Sequence, residues 1–232
     1  MDHKPGLLNR KWVRVLLYAV SALLLACGVF LLVREHVLLP DPDFVMPETP
    51  APTPEPTPEP TPVPGETPVP TPSPTPYVRP VPVRISFVEA KQSCEVFPGG
   101  VLENGQMEVI DRADAATWLE NVSGSLRPAP GEEGNAIIAG HKSKDGVAGT
   151  FKVLWDAKAG DAVVIDYEDG TQGWFYIDSI DRYPYQEVPA SVMSANAESP
   201  QLTLITCIGE WDSSGGTSAE RLVAVCKPGL PA

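Results

Sequence analysis

The chain has 232 residues, 43% of them apolar and 20% charged, and 30 Asp and Glu against 17 Lys and Arg leave a formal net charge of −13. That balance excludes a partner held through a phosphate backbone, so nucleic acid is not expected. Composition divides the chain into three unlike parts, and only the last has the makings of a globule.

In the first part Lys4, Arg10, Lys11 and Arg14 precede an uncharged apolar run from Val15 to Val33. Its 19 residues would reach roughly 28 Å as a helix, close to the thickness of a bilayer core. With the basic cluster ahead of the run, residues 1–14 are expected in the cytoplasm, residues 15–33 as a single membrane-spanning signal anchor, and the remainder outside the cell. A cleaved signal peptide would have a shorter apolar region and a small-residue cleavage site. Leu24-Leu25-Ala26-Cys27 looks like a lipoprotein processing box, but Val29 to Val33 continue the apolar run beyond it, and Cys27 reads as part of the helix.

The second part, residues 34–82, reads as a stalk. Eighteen of the 27 prolines fall between Pro40 and Pro82, mostly as Thr-Pro, Glu-Pro and Val-Pro pairs. Proline at this density excludes helix and central strand and favours a semi-rigid polyproline II spacer, the other use of such composition being a ligand for a proline-recognition domain. At about 3.1 Å per residue the spacer would reach at most roughly 130 Å, carrying the third part of the chain away from the lipid and into the wall.

The third part, residues 83–232, carries 11 Lys and Arg against 22 Asp and Glu, a net charge of −11. Its signals are mostly β: Val81 to Val88, Ala136 to Ala139, Ala162 to Tyr167, Trp174 to Ile180, Leu202 to Thr206 and Leu222 to Val225 are short β-branched or aromatic runs between Pro-Gly, Asp-Gly and Gly-Gly turns. Such spacing predicts a barrel. Helix is predicted only over Ala113 to Asn121 and Phe151 to Ala157. Leu202-Thr203-Leu204-Ile205-Thr206-Cys207 ends on a cysteine, and His141 is the one histidine of this part. Arg221 opens a further strand-like run 14 residues after the cysteine. A thiol, one imidazole and a fixed cation together suit acyl transfer through a cysteine nucleophile. Each also has a structural reading: a buried small hydrophobe, a satisfied loop histidine, a solvated strand-end charge.

Three motifs in order, Gly140-His141, Thr203-Leu204-Ile205-Thr206-Cys207 and Arg221-Leu222-Val223-Ala224-Val225, resemble those of the sortases of Gram-positive bacteria. The segment Gly134 to His141, with Gly105 to Val109 before it, looks most like classes E and F. The resemblance covers roughly Val83 to Lys227 and departs from the usual pattern in the stretch Trp118 to Pro130 and in two further cysteines, Cys94 and Cys226. It implies an all-β fold, a closed eight-stranded sortase-type barrel with short helical inserts and the catalytic strands side by side. It also implies two-step transpeptidation. Cys207 would attack a carbonyl in an LPxTG-type sorting signal of a secreted protein, His141 would protonate the departing amine, and an amine of a cell-wall precursor or another surface protein would take the acyl group. Arg221 would hold substrate and stabilise the oxyanion. Thr206 and Trp211 are expected to line the substrate groove, Trp211 within a glycine-containing loop from Ile208 to Ala219.

Asp41-Pro42-Asp43-Phe44 resembles the lid motif of pilin-type sortases, but the stalk is expected to part it from the domain, and it reads as chance. Cys94 and Cys226 are expected as free buried thiols, although the cell exterior permits a bridge. No cofactor is expected, and no metal, since the ligands for a zinc site are not clustered. Two other classes fit an exported stalked protein. An L,D-transpeptidase would carry Ser-His-Gly-Cys around its nucleophile, which is absent here. A non-catalytic wall-binding module would form no acyl adduct on Cys207.

Overall fold

The computed structural model describes residues 40–49, 77 and 79–230. The apolar run Val15 to Val33 and most of the proline-rich segment lie outside these residues, and among them no helix is long and apolar enough to cross a membrane. The described strands are β1 (Pro82–Phe87), β2 (Gln92–Gly99), β3 (Ala115–Leu119), β4 (Asn121–Val122), β5 (Ser125–Leu126), β6 (Asn135–Gly140), β7 (Ser143–Lys144), β8 (Val147–Ala148), β9 (Ala162–Tyr167), β10 (Gln172–Pro184), β11 (Gln201–Asp212) and β12 (Thr217–Pro228). Eight of them close a barrel in the order β1-β2-β3-β6-β11-β12-β10-β9, and β4-β5 and β7-β8 form two small hairpins.

Alternation fixes which residues fill the barrel. Ile138 on β6, Leu202, Leu204 and Ile208 on β11, and Leu222, Ala224 and Cys226 on β12 belong to one core with Trp118, Phe151 and Phe175. Phe151 and Phe87 meet edge to face at 5.4 Å between centroids. Burying each such ring contributes about 1.5–3 kcal/mol, and the core as a whole must offset the entropy of ordering the chain.

The barrel agrees with the expectation, but several elements differ from it. Residues 113–121 are not a helix: Ala115–Leu119 is a central strand buried at every position. Its inner residues Ala116 and Trp118 enter the core, while outward Thr117 is covered by the preceding loop and accepts a hydrogen bond from Ile110 N at 2.8 Å. With both faces covered, no polar alternation marks it as a strand. The second predicted helix is a single 3-10 helix, Thr150–Trp155. Strand β2 had no counterpart among the predicted runs. Residues 208–219 are no open loop either. They continue β11 and β12 as a ribbon, with Trp211 opposite Ser218 and a register shift after Ile208.

Cys94 and Cys226 are buried and unbridged. They sit on β2 and β12, which are not neighbours in the barrel order. Asp41 to Phe44 is not parted from the domain. Asp41 N donates to Lys91 O at 2.9 Å, Ser93 Oγ donates to Asp41 Oδ2 at 3.4 Å, and residues 40–48 border hollows against Arg84, Ser86 and Ser93 on β1 and β2. The chain returns to the barrel at Tyr77, whose hydroxyl donates to Glu132, and at Arg79, whose guanidinium lies 4.7 Å over the Trp118 ring.

Candidate active site

Strands β6 and β11 run parallel, with Ala139 opposite Ile205. His141, the first residue after β6, and Cys207 each follow that last registered pair by two residues, and both line the same cleft. On the other side Arg221 of β12 is the registered partner of Cys207. Ile138, Leu204 and Leu222 point into the barrel, so odd-numbered His141, Cys207 and Arg221 share its outer face. They line a cleft of about 420 Å³ with Thr206 and Ile205. Met107 and Val109 from the β2–β3 connection and Tyr185, Val188 and Met193 from the β10–β11 connection wall the cleft. A wider hollow of about 1180 Å³ around Arg79, Arg127 and Glu132 has no Cys, His, Ser or Thr in its lining, and the chemistry does not belong there.

Local packing explains the Gly-His pair. A Cβ on Gly140 would lie 2.4 Å from the Phe151 ring, so only glycine lets β6 cross the 3-10 helix here. Beyond His141 the Asp145-Gly146 turn reverses the chain between β7 and β8, and Gly149 N reaches Lys142 O at 2.8 Å. Cys207 is gripped through its main chain, where Trp155 Nε1 donates to Cys207 O at 3.1 Å and Lys142 Nζ donates to Gly209 O at 2.9 Å. The Thr206 hydroxyl donates to Gly140 O at 2.9 Å and ties the two strands together.

His141 Nε2 is buried without a hydrogen-bond partner among the described residues. The Ile110 main chain beside the ring favours its protonated form. Burial still pushes the imidazole below its ordinary 6.5, with Asp111 opposing and Lys144 assisting. Lys144 is itself paired with Asp111 at 2.6 Å. Burial pushes the Cys94 thiol up to about 12 and raises that of Cys226 as well. Neither is a nucleophile near neutrality. Arg221 donates from Nη1 to Ser218 O and Glu220 O at 3.0 and 3.2 Å and from Nη2 to Thr217 Oγ1 at 2.8 Å, with its guanidinium 5.5 Å from the Tyr185 ring centroid.

Residues 96–229, more than half of the chain, match the family model for the sortase domain. The chain belongs to the sortase family. As a sortase it is a cysteine transpeptidase. Among solved structures it is similar to a lid mutant of sortase C1 from Streptococcus agalactiae, with 16% identity over 64% of this chain and 69% of that one and a TM-score of 0.45. It is similar also to sortase A from Corynebacterium diphtheriae, with 21% identity, 67% and 63% coverage and a TM-score of 0.46. Sortase A from Listeria monocytogenes shows 21% identity, 64% and 88% coverage and a TM-score of 0.44. No curated protein matches the chain, and membership rests on the family model.

This sortase therefore brings His141, Cys207, Arg221 and Thr206 into one cleft. It leaves Trp211 out of the lining, on the projecting ribbon with 66% of its surface exposed. Met107, Val109, Tyr185, Val188 and Met193 carry no mark in the sequence that assigns them to the site. They come from connections whose path over the barrel no local pattern encodes, and a lone Tyr185 just past a strand end has no signal of its own.

Proposed function

We propose that this sortase is held in the cell membrane by Val15 to Val33, amino terminus inside and barrel outside. There it cuts sorting signals of the LPxTG type in secreted proteins. It joins the new carboxyl end to an amine of a cell-wall precursor or of another surface protein. The observation that carries the chemistry is the unpartnered Nε2 of His141 in one cleft with Cys207. The runs Gly134 to His141 and Gly105 to Val109 support a place in class E or F.

With its pKa lowered by burial, His141 is neutral near pH 7, and in the tautomer that leaves the unpartnered Nε2 unprotonated it acts as a base. It takes the Sγ proton of Cys207 as sulfur adds to the scissile carbonyl. The carbon–nitrogen bond then breaks and the imidazolium protonates the leaving amine. Thioacyl enzyme and free amine form with no net change in protons. In the second half an acceptor amine gives its proton to Nε2, its nitrogen replaces sulfur on the carbonyl carbon, and the proton returns to Cys207. Arg221 has two N–H groups beyond the three used on its own chain, and these meet the developing oxyanion.

The test is to incubate the full-length chain with a library of sorting-signal peptides and several amines and to identify products by mass. Cys207→Ala abolishes both cleavage and transfer, while Cys94→Ala and Cys226→Ala retain them. Turnover surviving in the Cys207 variant overturns the assignment.

A further inference from the structure

The wall of the cleft formed by Val188 and Met193 is held from behind. Between Pro189 and Ser194 the chain makes three successive turns, in which Val192 N donates to Pro189 O, Met193 N to Ala190 O and Ser194 N to Ser191 O, at 3.0 to 3.2 Å. The next four carbonyls, from Val192 to Ala195, then all accept from two residues elsewhere. Asn135 Nδ2 donates to Val192 O at 3.1 Å and to Ser194 O at 3.0 Å, Asn135 N donates to Ala195 O at 2.8 Å, and Arg127 Nη2 donates to Met193 O at 2.6 Å. Asn135 is 1% exposed. Its Oδ1 is occupied as well, accepting from the Thr203 hydroxyl at 2.7 Å and from Gln201 Nε2 at 3.3 Å.

All four hydrogen-bonding positions of this buried amide are thus filled, which fixes its orientation without ambiguity. Gly134 supplies the clearance: at φ 102° a Cβ there would stand 2.5 Å from Ala195 O. Asn135 opens β6, the strand that His141 directly follows, and Thr203 precedes Cys207 by four residues on β11. The two strands that carry the thiol and the imidazole therefore also carry the clamp on the wall facing them.

We propose that Asn135 is a positioning residue that presets the Val188–Met193 wall for the substrate peptide, so that this side of the cleft is formed before substrate arrives. The proposal rests on the sortase reading of the cleft and goes beyond it in assigning selectivity to a residue that touches neither substrate nor reacting atoms. Removing the amide leaves the carbonyls of Val192 and Ser194 without that donor and frees the turn to shift, while Cys207 and His141 keep their own contacts.

The experiment compares the full-length chain in detergent with Asn135→Ala and Arg127→Met, by sorting-peptide kinetics, iodoacetamide labelling of Cys207, and NMR of methionine methyl groups. Loss of the clamp raises KM by about tenfold or more, with kcat and the labelling rate within about threefold, because chemistry and thiol are untouched. The Met193 methyl signal moves toward its value in a disordered chain while that of Met107, on the β2–β3 connection, stays in place. Thr203→Val, which removes only the hydroxyl that orients Asn135 Oδ1, shows the same pattern more weakly and substitutes if Asn135→Ala does not fold. Unchanged KM and an unmoved Met193 methyl overturn the proposal, as does an equal fall in kcat and labelling rate, the mark of general loosening. Should the wild-type chain cleave no sorting peptide, the proposed function fails, and the Met193 methyl alone decides whether Asn135 sets the wall.

Discussion

Arg221 is anchored before it meets substrate: Ser218, Glu220 and Thr217 fix its fork and Tyr185 lies against its face. Lysine can supply the charge but cannot make three anchoring bonds and still present oriented donors. Arg221→Ala is expected to lose about 10² to 10³ in kcat, and Arg221→Lys to recover only a small part. Recovery of most of the rate by lysine would reduce the role to charge alone, and near-wild-type kinetics in both variants would make Arg221 a strand-end cation. For His141 the sign follows from burial. The folded imidazole binds its proton below 6.5, the ordinary value that the unfolded chain retains. As pH falls below 6.5 the unfolded state therefore takes up the proton first, and the folded state loses stability across that window. Urea denaturation of wild type and His141→Gln from neutral to acid pH checks this, since the variant lacks that contribution. The same depression places the acid limb of kcat/KM below 6.5, and His141→Gln lowers activity by about 10² to 10⁴ at neutral pH.

Between β6 and the 3-10 helix there is no room for a methyl group. Gly140→Ala must displace Phe151, a fully buried ring, and overpacking of this kind costs about 1–3 kcal/mol. A lower melting temperature, with activity falling more steeply than stability because His141 is the next residue, is the expected result. Wild-type melting and rate in that variant would show that the helix yields freely. The elements also show what the sequence could reveal. Ala162 to Tyr167 was legible to the residue, because β-branched side chains run between turns on either side. The grouping of Cys207, His141 and Arg221 was legible because each belongs to a short fixed motif, although Cys207 and Arg221 stand within β11 and β12 and not at their ends. Strand β3 was hidden by alanines and by cover on both faces. The ribbon beyond Ile208 was hidden because it projects from the barrel, where exposed Trp211 and Glu210 carry no alternation of apolar and polar. Tyr185 and Met193 reach the cleft along a connection held by Asn135, a tertiary contact between residues 57 and 59 positions apart.

At the scale of the molecule, charges ahead of a single apolar run predict that added protease digests the barrel on intact cells while the first residues stay protected. A mature protein beginning after Val33 would refute the anchor. The barrel itself was readable from short strands and turn residues, but its closure came only with the family resemblance, since the β1–β9 pairing joins segments far apart in the chain, Ile85 with Ile165 among them. The contact of Asp41 with Lys91 and Ser93 was invisible for a related reason: proline-rich sequence specifies stiffness and says nothing of where its ends attach. That contact changes how far the enzyme can travel. Residues 50–76 join two points that both lie on the barrel surface, so their contour length adds nothing to the distance from the bilayer. On the anchored topology proposed above, the tether is residues 34–40, at about 3.3–3.6 Å each when fully extended a leash of roughly 25 Å. An enzyme so leashed patrols a thin shell beside the lipid at high local concentration. It would meet its clients as they emerge from the membrane, and the acceptor amine would have to come down to it.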